Sequence, residues 1–187
     1  MEITEGKLGG VLLIRPHAFP DERGFFTETY HVEKYAEAGI NRTFVQDNFS
    51  FSKKHVLRGL HFQSAYPQGK LVYVVQGEVW DVAVDLRRGS ATFGQWEGHT
   101  LTGENHHQLY IPEGFAHGFV VLSDTAAVLY KCTDVYHPDD DFGLLWNDPA
   151  LGIDWPVRRP VLSEKDGRLP PLHAIADDRL PRVRDAG

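Results

Sequence analysis

Four polar side chains with complementary chemistry fall within residues 55–79. Arg58, His61, Gln63 and Lys70 stand there among apolar and β-branched residues, so strands are expected to carry or flank them. A histidine titrates near neutrality and can act as a general base. A fixed ammonium stabilises negative charge that develops beside it. We therefore expect a polar functional site held on rigid β structure.

A second segment, residues 111–123, complements the first. It reads IPEGFAHGFVVLS and places Pro112, Gly114 and His117 at the spacing P-x-G-x-x-H. The Pro-x-Gly sequence is typical of a tight turn, and the apolar residues after it predict a buried strand. His117 is therefore expected on a strand that enters the core.

Together the two segments resemble the paired motifs of the cupin superfamily, which are small jelly-roll barrels. The first cupin motif reads G-(x)5-H-x-H-(x)3,4-E-(x)6-G. His61 stands at its first histidine, Gln63 replaces the second, and Lys70 lies where the glutamate is expected, seven residues before Gly77. A divalent cation needs electron-donating ligands, and a lysine ammonium repels it. The sequence predicts a cupin pocket in which a lysine replaces the metal.

The elements that must position these residues read as short strands. From Val56 onward, apolar runs recur about every ten residues, with turn signals between them, which is typical of a β-sandwich or barrel. Residues 11–15 and 25–31 also read as strands, and residues 32–38, followed by Gly39, read as a short helix. After Tyr136 we expect loops with short helical turns. The predicted fold is an all-β jelly-roll barrel with a few short helices.

Alternation is clearest in residues 78–86. Trp80, Val82 and Val84 lie on one predicted face, while Asp81 and Asp85 lie on the other. The first face carries apolar residues that can pack in a core, and the second carries carboxylates that can belong to a polar site.

The same alternation raises a difficulty for the first segment. Arg58 and His61 are an odd number of residues apart, so a regular strand would direct them to opposite faces. If both serve one pocket, a bulge or strand end is expected at Gly59.

Composition limits the function classes. The chain has 187 residues, of which 42% are hydrophobic, which predicts a single domain over residues 1–187. A formal charge of −7 argues against a nucleic-acid or anionic-membrane partner. The single cysteine, Cys132, forms no disulfide within the chain, and no signal peptide or membrane span is recognisable. We expect a cytoplasmic protein.

Eight phrases in order resemble one family, the dTDP-4-dehydrorhamnose 3,5-epimerases. The resemblance covers roughly residues 10–172 and is much more specific than the cupin spacing alone. The phrases are FPDERGFFTE, FVQDNFSFSKKHVLRGLHFQ, GKLVYVVQGEVWDVAVDLR, ATFGQW, IPEGFAHGFVVLS, LYKCTDVYHP, WNDPALGIDWP and LSEKD.

This resemblance implies a reaction. The family acts on a dTDP-linked 4-keto-6-deoxyhexose and inverts C3 and C5, the carbons that flank the ketone. It converts dTDP-4-dehydro-6-deoxy-D-glucose to dTDP-4-dehydro-L-rhamnose. The implied enzyme is a homodimeric isomerase that needs no cofactor and no metal.

The resemblance also implies residue roles. His61 would be the general base, Asp166 its orienting partner, Tyr130 the acid on the opposite face of the sugar, and Lys70 the cation at the enolate oxygen. The residues implied to hold the nucleotide and sugar are Arg23, Glu28, Gln46, Asp47, Asn48, Arg58, Gln63, His117, Asp141 and Lys165.

Each of these residues also has an interpretation without catalysis. Lys70 alone would be a solvated lysine at a strand edge. Tyr130 would be a core aromatic residue with its hydroxyl at the surface. Asp166 would be a turn residue before Gly167.

The chain departs from the family pattern at three places. The segment between His61 and Lys70 is one residue shorter than expected, Tyr73 stands where arginine is common, and Asp141 replaces a glutamate. These departures concern substrate contacts more than proton transfer.

Other functions remain open at this stage. In the same fold, an enzyme can invert only C3 or C5, or can shift the ketone of a related dTDP-4-keto-6-deoxyhexose. A metal-dependent cupin oxygenase would hold a transition metal. A sugar-binding jelly roll would bind the nucleotide sugar without exchanging its carbon-bound protons.

Overall fold

The computed structural model describes residues 1–183, which consist mainly of antiparallel β-strands. The strands are β1 (Glu2–Glu5), β2 (Leu12–Arg15), β3 (Ala18–Asp21), β4 (Gly24–Thr27), β5 (Gln46–Lys53), β6 (Leu57–Gln63), β7 (Lys70–Gln76), β8 (Glu78–Asp85), β9 (Trp96–Thr102), β10 (Gln108–Ile111), β11 (Phe115–Val121), β12 (Thr125–Cys132) and β13 (Asp141–Gly143). The helical elements are α1 (Val32–Glu37) and three 3-10 turns, Pro138–Asp140, Asp166–Arg168 and Leu172–Ala174. No helix within residues 1–183 is long and apolar enough to cross a membrane. The predicted all-β fold with few short helices is confirmed.

The strands form two sheets and a separate hairpin. A six-stranded sheet has the order β1-β2-β10-β7-β12-β5, and a five-stranded sheet has the order β13-β6-β11-β8-β9. From β5 to β8 and from β9 to β13 the chain crosses to the other sheet at every connection, as in jelly-roll folds. β3 and β4 pair only with each other. The strands that carry the sequence motifs therefore face one another across the space between the sheets.

Inward-facing apolar side chains from both sheets fill most of this space. Val72 of β7 and Val128 of β12 meet Val79 of β8 and Phe115 of β11 in one buried cluster. Burying such side chains stabilises the fold by about 1.5–3 kcal/mol each. The core is continuous, so it holds the strands of the two sheets at a fixed separation.

The outer faces of both sheets are covered as well. Tyr35 of α1 packs with Ile14 and Leu71 on the outside of the six-stranded sheet. Apolar residues that follow β13 pack on the outside of the five-stranded sheet, where Leu144, Leu151 and Trp155 belong to the same cluster as Val82 of β8. The alternation predicted for β8 is thus present, and both of its faces are buried because a second layer covers the outer one.

The irregularity predicted at Gly59 is present between β6 and β11. His61 pairs with His117, but the next pair is Arg58 with Phe119, so two residues of β6 face one residue of β11. Gly59 has a φ of 115°, and a Cβ there would lie 2.7 Å from the Gly118 Cα. The shift in register brings both Arg58 and His61 to the same cavity.

We predict that Gly59→Ala strongly destabilises the fold. An added methyl group would meet the backbone of β11 in a conformation that L-residues rarely adopt, which should cost on the order of 3 kcal/mol. Urea unfolding of Gly59→Ala should show a lower midpoint with an unchanged slope. Gly9→Ala is the matched control, since a Cβ at Gly9 would have no neighbouring atom within 4 Å. A Gly59→Ala variant as stable as the control would contradict the close packing of β6 on β11.

Candidate active site

A cavity of about 530 Å³ opens between the two sheets. Eleven of the fourteen site residues predicted from the sequence line it. They are Gln46, Asn48, Arg58, His61, Gln63, Lys70, His117, Tyr130, Asp141, Lys165 and Asp166. They come from β5, β6, β7, β11, β12, β13 and the 3-10 turn at Asp166, so no short segment of the chain could build this cavity alone.

His61 and Asp166 form a close pair on one wall. His61 Nε2 lies 2.6 Å from Asp166 Oδ1, and the Asp166 amide donates a hydrogen bond to Ser163 Oγ at 3.0 Å. Burial by itself would raise the pKa of Asp166, but the hydrogen bond and charge of His61 outweigh it and hold the pKa below its usual range. An ionised carboxylate only accepts, so Nε2 must carry the proton. The lone pair is then on Nδ1, and the His61 ring can act as a base through that atom.

Lys70 places a positive charge inside the cavity. It is the first residue of β7, only 8% of it is exposed, and it donates no side-chain hydrogen bond to any residue within 1–183. Burial lowers the pKa of its ammonium, although the nearby Asp141 and Asp81 carboxylates oppose this shift. A buried ammonium that has no hydrogen-bond acceptor within residues 1–183 can bind the anionic group of a ligand.

Tyr130 lies on the other wall. It belongs to β12 of the six-stranded sheet, whereas His61 belongs to β6 of the five-stranded sheet. Its ring meets the His117 ring edge-on, with 6.5 Å between the centroids. Burial raises the pKa of the Tyr130 phenol, which keeps it protonated at neutral pH. A histidine and a protonated phenol thus line one cavity from opposite sheets.

A second histidine–carboxylate pair lies beside the first. His117 Nε2 is 3.0 and 2.9 Å from the two carboxylate oxygens of Asp81, and both residues are buried. Asp81 was not predicted as a site residue from the sequence. The alternation along β8 placed Asp81 on the same face as Ala83. The structure shows that Ala83 lies in the core, and an aspartate on a buried face requires a partner.

A charged cluster lines the mouth of the cavity. Lys165 Nζ and the Tyr136 hydroxyl both donate to Asp141 Oδ2, the latter at 2.7 Å. Burial would raise the pKa of Asp141, but these two bonds outweigh it and lower the pKa. Tyr136 was also not predicted from the sequence. Its only signal was its place in the phrase LYKCTDVYHP.

Arg58 and Asn48 present polar groups to the same cavity. Arg58 Nε donates to Ser52 Oγ at 3.0 Å, which leaves the rest of the guanidinium free to point into the cavity. Asn48 accepts a hydrogen bond from Gln46 Nε2 at 3.0 Å. Arginine can bind carboxylate or phosphate through two parallel hydrogen bonds.

The structure does not bring three predicted residues to this cavity. Asp47 lies on the opposite face of β5 from Gln46 and Asn48 and pairs with Lys131 at 3.0 Å, because adjacent strand residues point in opposite directions. Arg23 lies at the tip of the β3–β4 hairpin and pairs with Asp21 at 2.6 Å. Glu28 pairs with Lys34 at 2.7 Å, near the surface.

We predict that Lys70→Met stabilises the ligand-free protein. Replacing a buried, unpaired charge with an apolar side chain of similar length should raise the free energy of unfolding by about 1–3 kcal/mol at pH 7. The lowered pKa of Lys70 means that the unfolded chain binds more protons than the folded one, so the parent gains stability as the pH rises towards the ordinary lysine pKa. The difference between Lys70→Met and the parent should therefore shrink at high pH.

The control for this prediction is Lys53→Met. Lys53 is exposed on β5, so its replacement should change the free energy of unfolding by less than about 0.5 kcal/mol. Denaturant titrations at several pH values measure both variants. A loss of stability in Lys70→Met would mean that the ammonium has a partner.

Comparisons with known proteins agree with the fold and the cavity. The family described as dTDP-4-dehydrorhamnose 3,5-epimerase matches residues 5–174. A relative with that name from Neisseria gonorrhoeae is 57% identical over 167 residues, which cover 89% of this chain and 51% of the relative. The chain thus spans about half the length of that relative. One from Methanothermobacter thermautotrophicus is 52% identical over 168 residues, covering 88% of this chain and 91% of the relative.

A solved structure gives the same result in three dimensions. It is the dTDP-6-deoxy-D-glucose-3,5-epimerase of Legionella pneumophila in complex with dTDP-4-keto-L-rhamnose. The two chains are 52% identical, the match covers 98% of each, and the TM-score is 0.96. The chain therefore belongs to the dTDP-4-dehydrorhamnose 3,5-epimerase family, which is a family of isomerases.

Proposed function

We propose that this chain inverts C3 and C5 of dTDP-4-dehydro-6-deoxy-D-glucose and releases dTDP-4-dehydro-L-rhamnose. The observation that carries the proposal is the arrangement of His61, Tyr130 and Lys70 around one cavity. Membership of the family supports the substrate, and so does the ligand held by the Legionella pneumophila structure.

The first step is removal of a proton from a carbon next to the ketone. His61 takes this proton through Nδ1, while Asp166 holds the ring by Nε2 and stabilises the imidazolium that forms. About one third of the His61 side chain is exposed, so the ring is open to a ligand in the cavity.

The second requirement is a place for the negative charge. Loss of the proton moves charge to the C4 oxygen, and the Lys70 ammonium binds this enolate oxygen. Because Lys70 has no acceptor among residues 1–183, this interaction becomes strong only when the substrate supplies one.

Inversion also requires a proton from the opposite face. His61 can return a proton only to the side from which it took one, whereas Tyr130 projects from the facing sheet. Its protonated phenol donates to the carbon. The His61 imidazolium then releases its proton to solvent and the Tyr130 phenolate takes one up, so both groups are reset before the second carbon reacts. The same two groups act in turn at C5 and C3.

The remaining cavity residues bind the nucleotide sugar. Arg58 and Lys165 bring positive charge to a chain with a formal charge of −7, and the diphosphate of the substrate needs such local cations. Gln46, Asn48 and His117 supply further hydrogen-bonding groups.

The proposed reaction uses neither a cofactor nor a metal. Proton transfer next to a ketone needs no redox group, and Lys70 supplies the charge that a metal ion would otherwise provide. The amide of Gln63 and the ammonium of Lys70 stand where a metal cupin has ligands. A cytoplasmic location is proposed from the single cysteine.

We predict that dTDP-4-dehydro-6-deoxy-D-glucose incubated with the EDTA-dialysed protein in D₂O gains deuterium at C3 and C5 with inversion at both. His61→Ala should show neither exchange nor inversion. Tyr130→Phe should still exchange protons through His61 with retained configuration, while inverted product falls by about 10²–10⁴-fold. NMR of the recovered sugar nucleotide measures deuterium content and configuration together.

Several outcomes would contradict the proposal in different ways. Deuterium and inversion at one carbon only would indicate a single-carbon epimerase, and ketone migration would indicate a ketoisomerase. Activity that disappears with EDTA and returns with iron would reject the role of Lys70. Parent-like inversion in Tyr130→Phe would assign the second proton to water or another residue.

We also propose that the chain is a homodimer in which each protomer helps to complete the other's cavity. The β3–β4 hairpin exposes Phe25 and Phe26, and the edge strand β5 exposes Phe49 and Phe51. Exposed aromatic residues on an unpaired sheet edge are typical of a contact surface. Arg23 lies on this hairpin, too far from its own cavity to line it.

A mixing experiment tests the dimer. Light scattering should give twice the chain mass of 21.1 kDa. Arg23→Ala and His61→Ala should each be nearly inactive alone, but mixed and refolded together they should recover roughly a quarter of the parent activity, because half of the dimers are then hybrids with one intact site. A monomer, or a mixture that stays inactive, would contradict a cavity completed in trans.

A further inference from the structure

Three glutamine side chains hold a loop at the mouth of the cavity. This rim loop comprises residues 133–137 and carries Tyr136. Gln46 Oε1 accepts from the Tyr136 amide at 2.8 Å, and Gln68 Nε2 donates to the Asp134 carbonyl at 2.8 Å. Gln63 makes two more bonds to the same loop. Most of the loop's backbone hydrogen bonds thus go to side chains and not to a neighbouring strand.

Gln63 is the central member of this group. Its Oε1 accepts from the His137 amide at 3.0 Å, and its Nε2 donates to the Val135 carbonyl at 3.4 Å and to the Tyr66 carbonyl at 2.6 Å. Only 5% of Gln63 is exposed. Both amide hydrogens and one lone pair of the carbonyl oxygen are therefore engaged by backbone groups.

These bonds join two loops. Residues 64–69 connect β6 to β7, and Tyr66 in that loop stacks on His137 of the rim loop with 4.0 Å between ring centroids. Asp140 accepts from the Ala65 and Tyr66 amides at 3.1 and 2.8 Å. Gln63 lies between the loops and bonds to both, so its loss would remove the side-chain bonds that tie both loops to β6.

We propose that Gln63 is a positioning residue, which fixes the rim loop and so places the Tyr136 phenol on Asp141, and that it is not a direct ligand of the substrate. The proposal rests on the proposed function only for its effect on catalysis. His61, Lys70 and Tyr130 lie on strands that have their own backbone ladders, so they do not depend on the rim loop. Tyr136 and Asp141 both line the cavity. Loss of Gln63 should therefore weaken substrate binding and leave the proton-transfer step nearly intact.

Amide hydrogen exchange tests the loop without reference to activity. In Gln63→Met, which keeps the side-chain volume and removes all three bonds, the amides of Tyr136 and His137 should exchange about tenfold or more faster than in the parent. Gln95→Met is the matched control, because Gln95 is exposed and makes one 3.5 Å bond elsewhere. Unchanged exchange in residues 133–137 would overturn the proposal.

Kinetics test the consequence. In Gln63→Met we expect KM to rise about tenfold while kcat stays within about twofold. In a Tyr136→Ala background the same substitution should raise KM little further, because the group that Gln63 positions is already absent. Effects that multiply in the double variant would indicate that Gln63 contacts the substrate directly and would reject the positioning role.

Gln68→Met provides a second route if Gln63→Met does not fold. Gln68→Met removes one bond to the rim loop, so it should give a smaller increase in amide exchange of residues 133–137 and in KM. Exchange rates and a KM equal to those of the parent would count against the proposal. Failure of the proposed function is distinguishable: the parent would then not epimerise, but the exchange of residues 133–137 would still decide whether Gln63 holds the loop.

Discussion

A buried ammonium without a hydrogen-bond acceptor is unfavourable in a protein core, and the cavity of this chain is built around one. The backbone of Lys70 is held on both sides, since β7 pairs it with Ile111 of β10 and with Cys132 of β12. The two ladders therefore fix the direction in which the side chain leaves the backbone. The Asp81 and Asp141 carboxylates reduce the cost without forming a bond to the ammonium. The fold thus maintains a charge that a ligand can use, at some expense in stability.

The two histidine–carboxylate pairs differ in access and therefore in what they can do. His61 and His117 are paired residues on adjacent strands, and each has a carboxylate on its Nε2. His117 is only 7% exposed and Asp81 not at all, whereas a third of the His61 side chain is open. Of the two rings, His61 is the more accessible from the cavity. His117 and Asp81 instead form a fixed polar wall beside it.

The cavity has two parts that are held in different ways: its walls are strands, and its mouth is a loop that side chains hold. The groups proposed for proton transfer, His61, Lys70 and Tyr130, lie on strands, where backbone ladders and the core between the sheets define their positions. The mouth is formed by the rim loop, and glutamine side chains hold much of its backbone. Side-chain bonds of this kind open more readily than a ladder within a sheet. The fold therefore permits adjustment at the entrance while the reacting groups stay in place.

Local patterns in the sequence were sufficient for the all-β class, the helix that ends before Gly39, and the irregularity at Gly59, because alternation and turn residues act over a few neighbours. The phrases that resemble the family were sufficient to identify that family and to predict eleven of the residues that line the cavity. Sequence alone did not identify Asp81 or Tyr136, and it placed Asp47 in a site from which alternation along β5 directs it away.

Tertiary structure decided which partner each polar group has. His61 meets Asp166 across 105 positions, and Gln63 meets His137 across 74, so neither contact follows from a local rule. The sequence indicated Gln63 as a substrate ligand by its place in a motif, but in the folded chain its amide nitrogen and oxygen bond to the backbone of two loops. Such long-range pairings depend on how the two sheets pack, and packing is a property of the entire core.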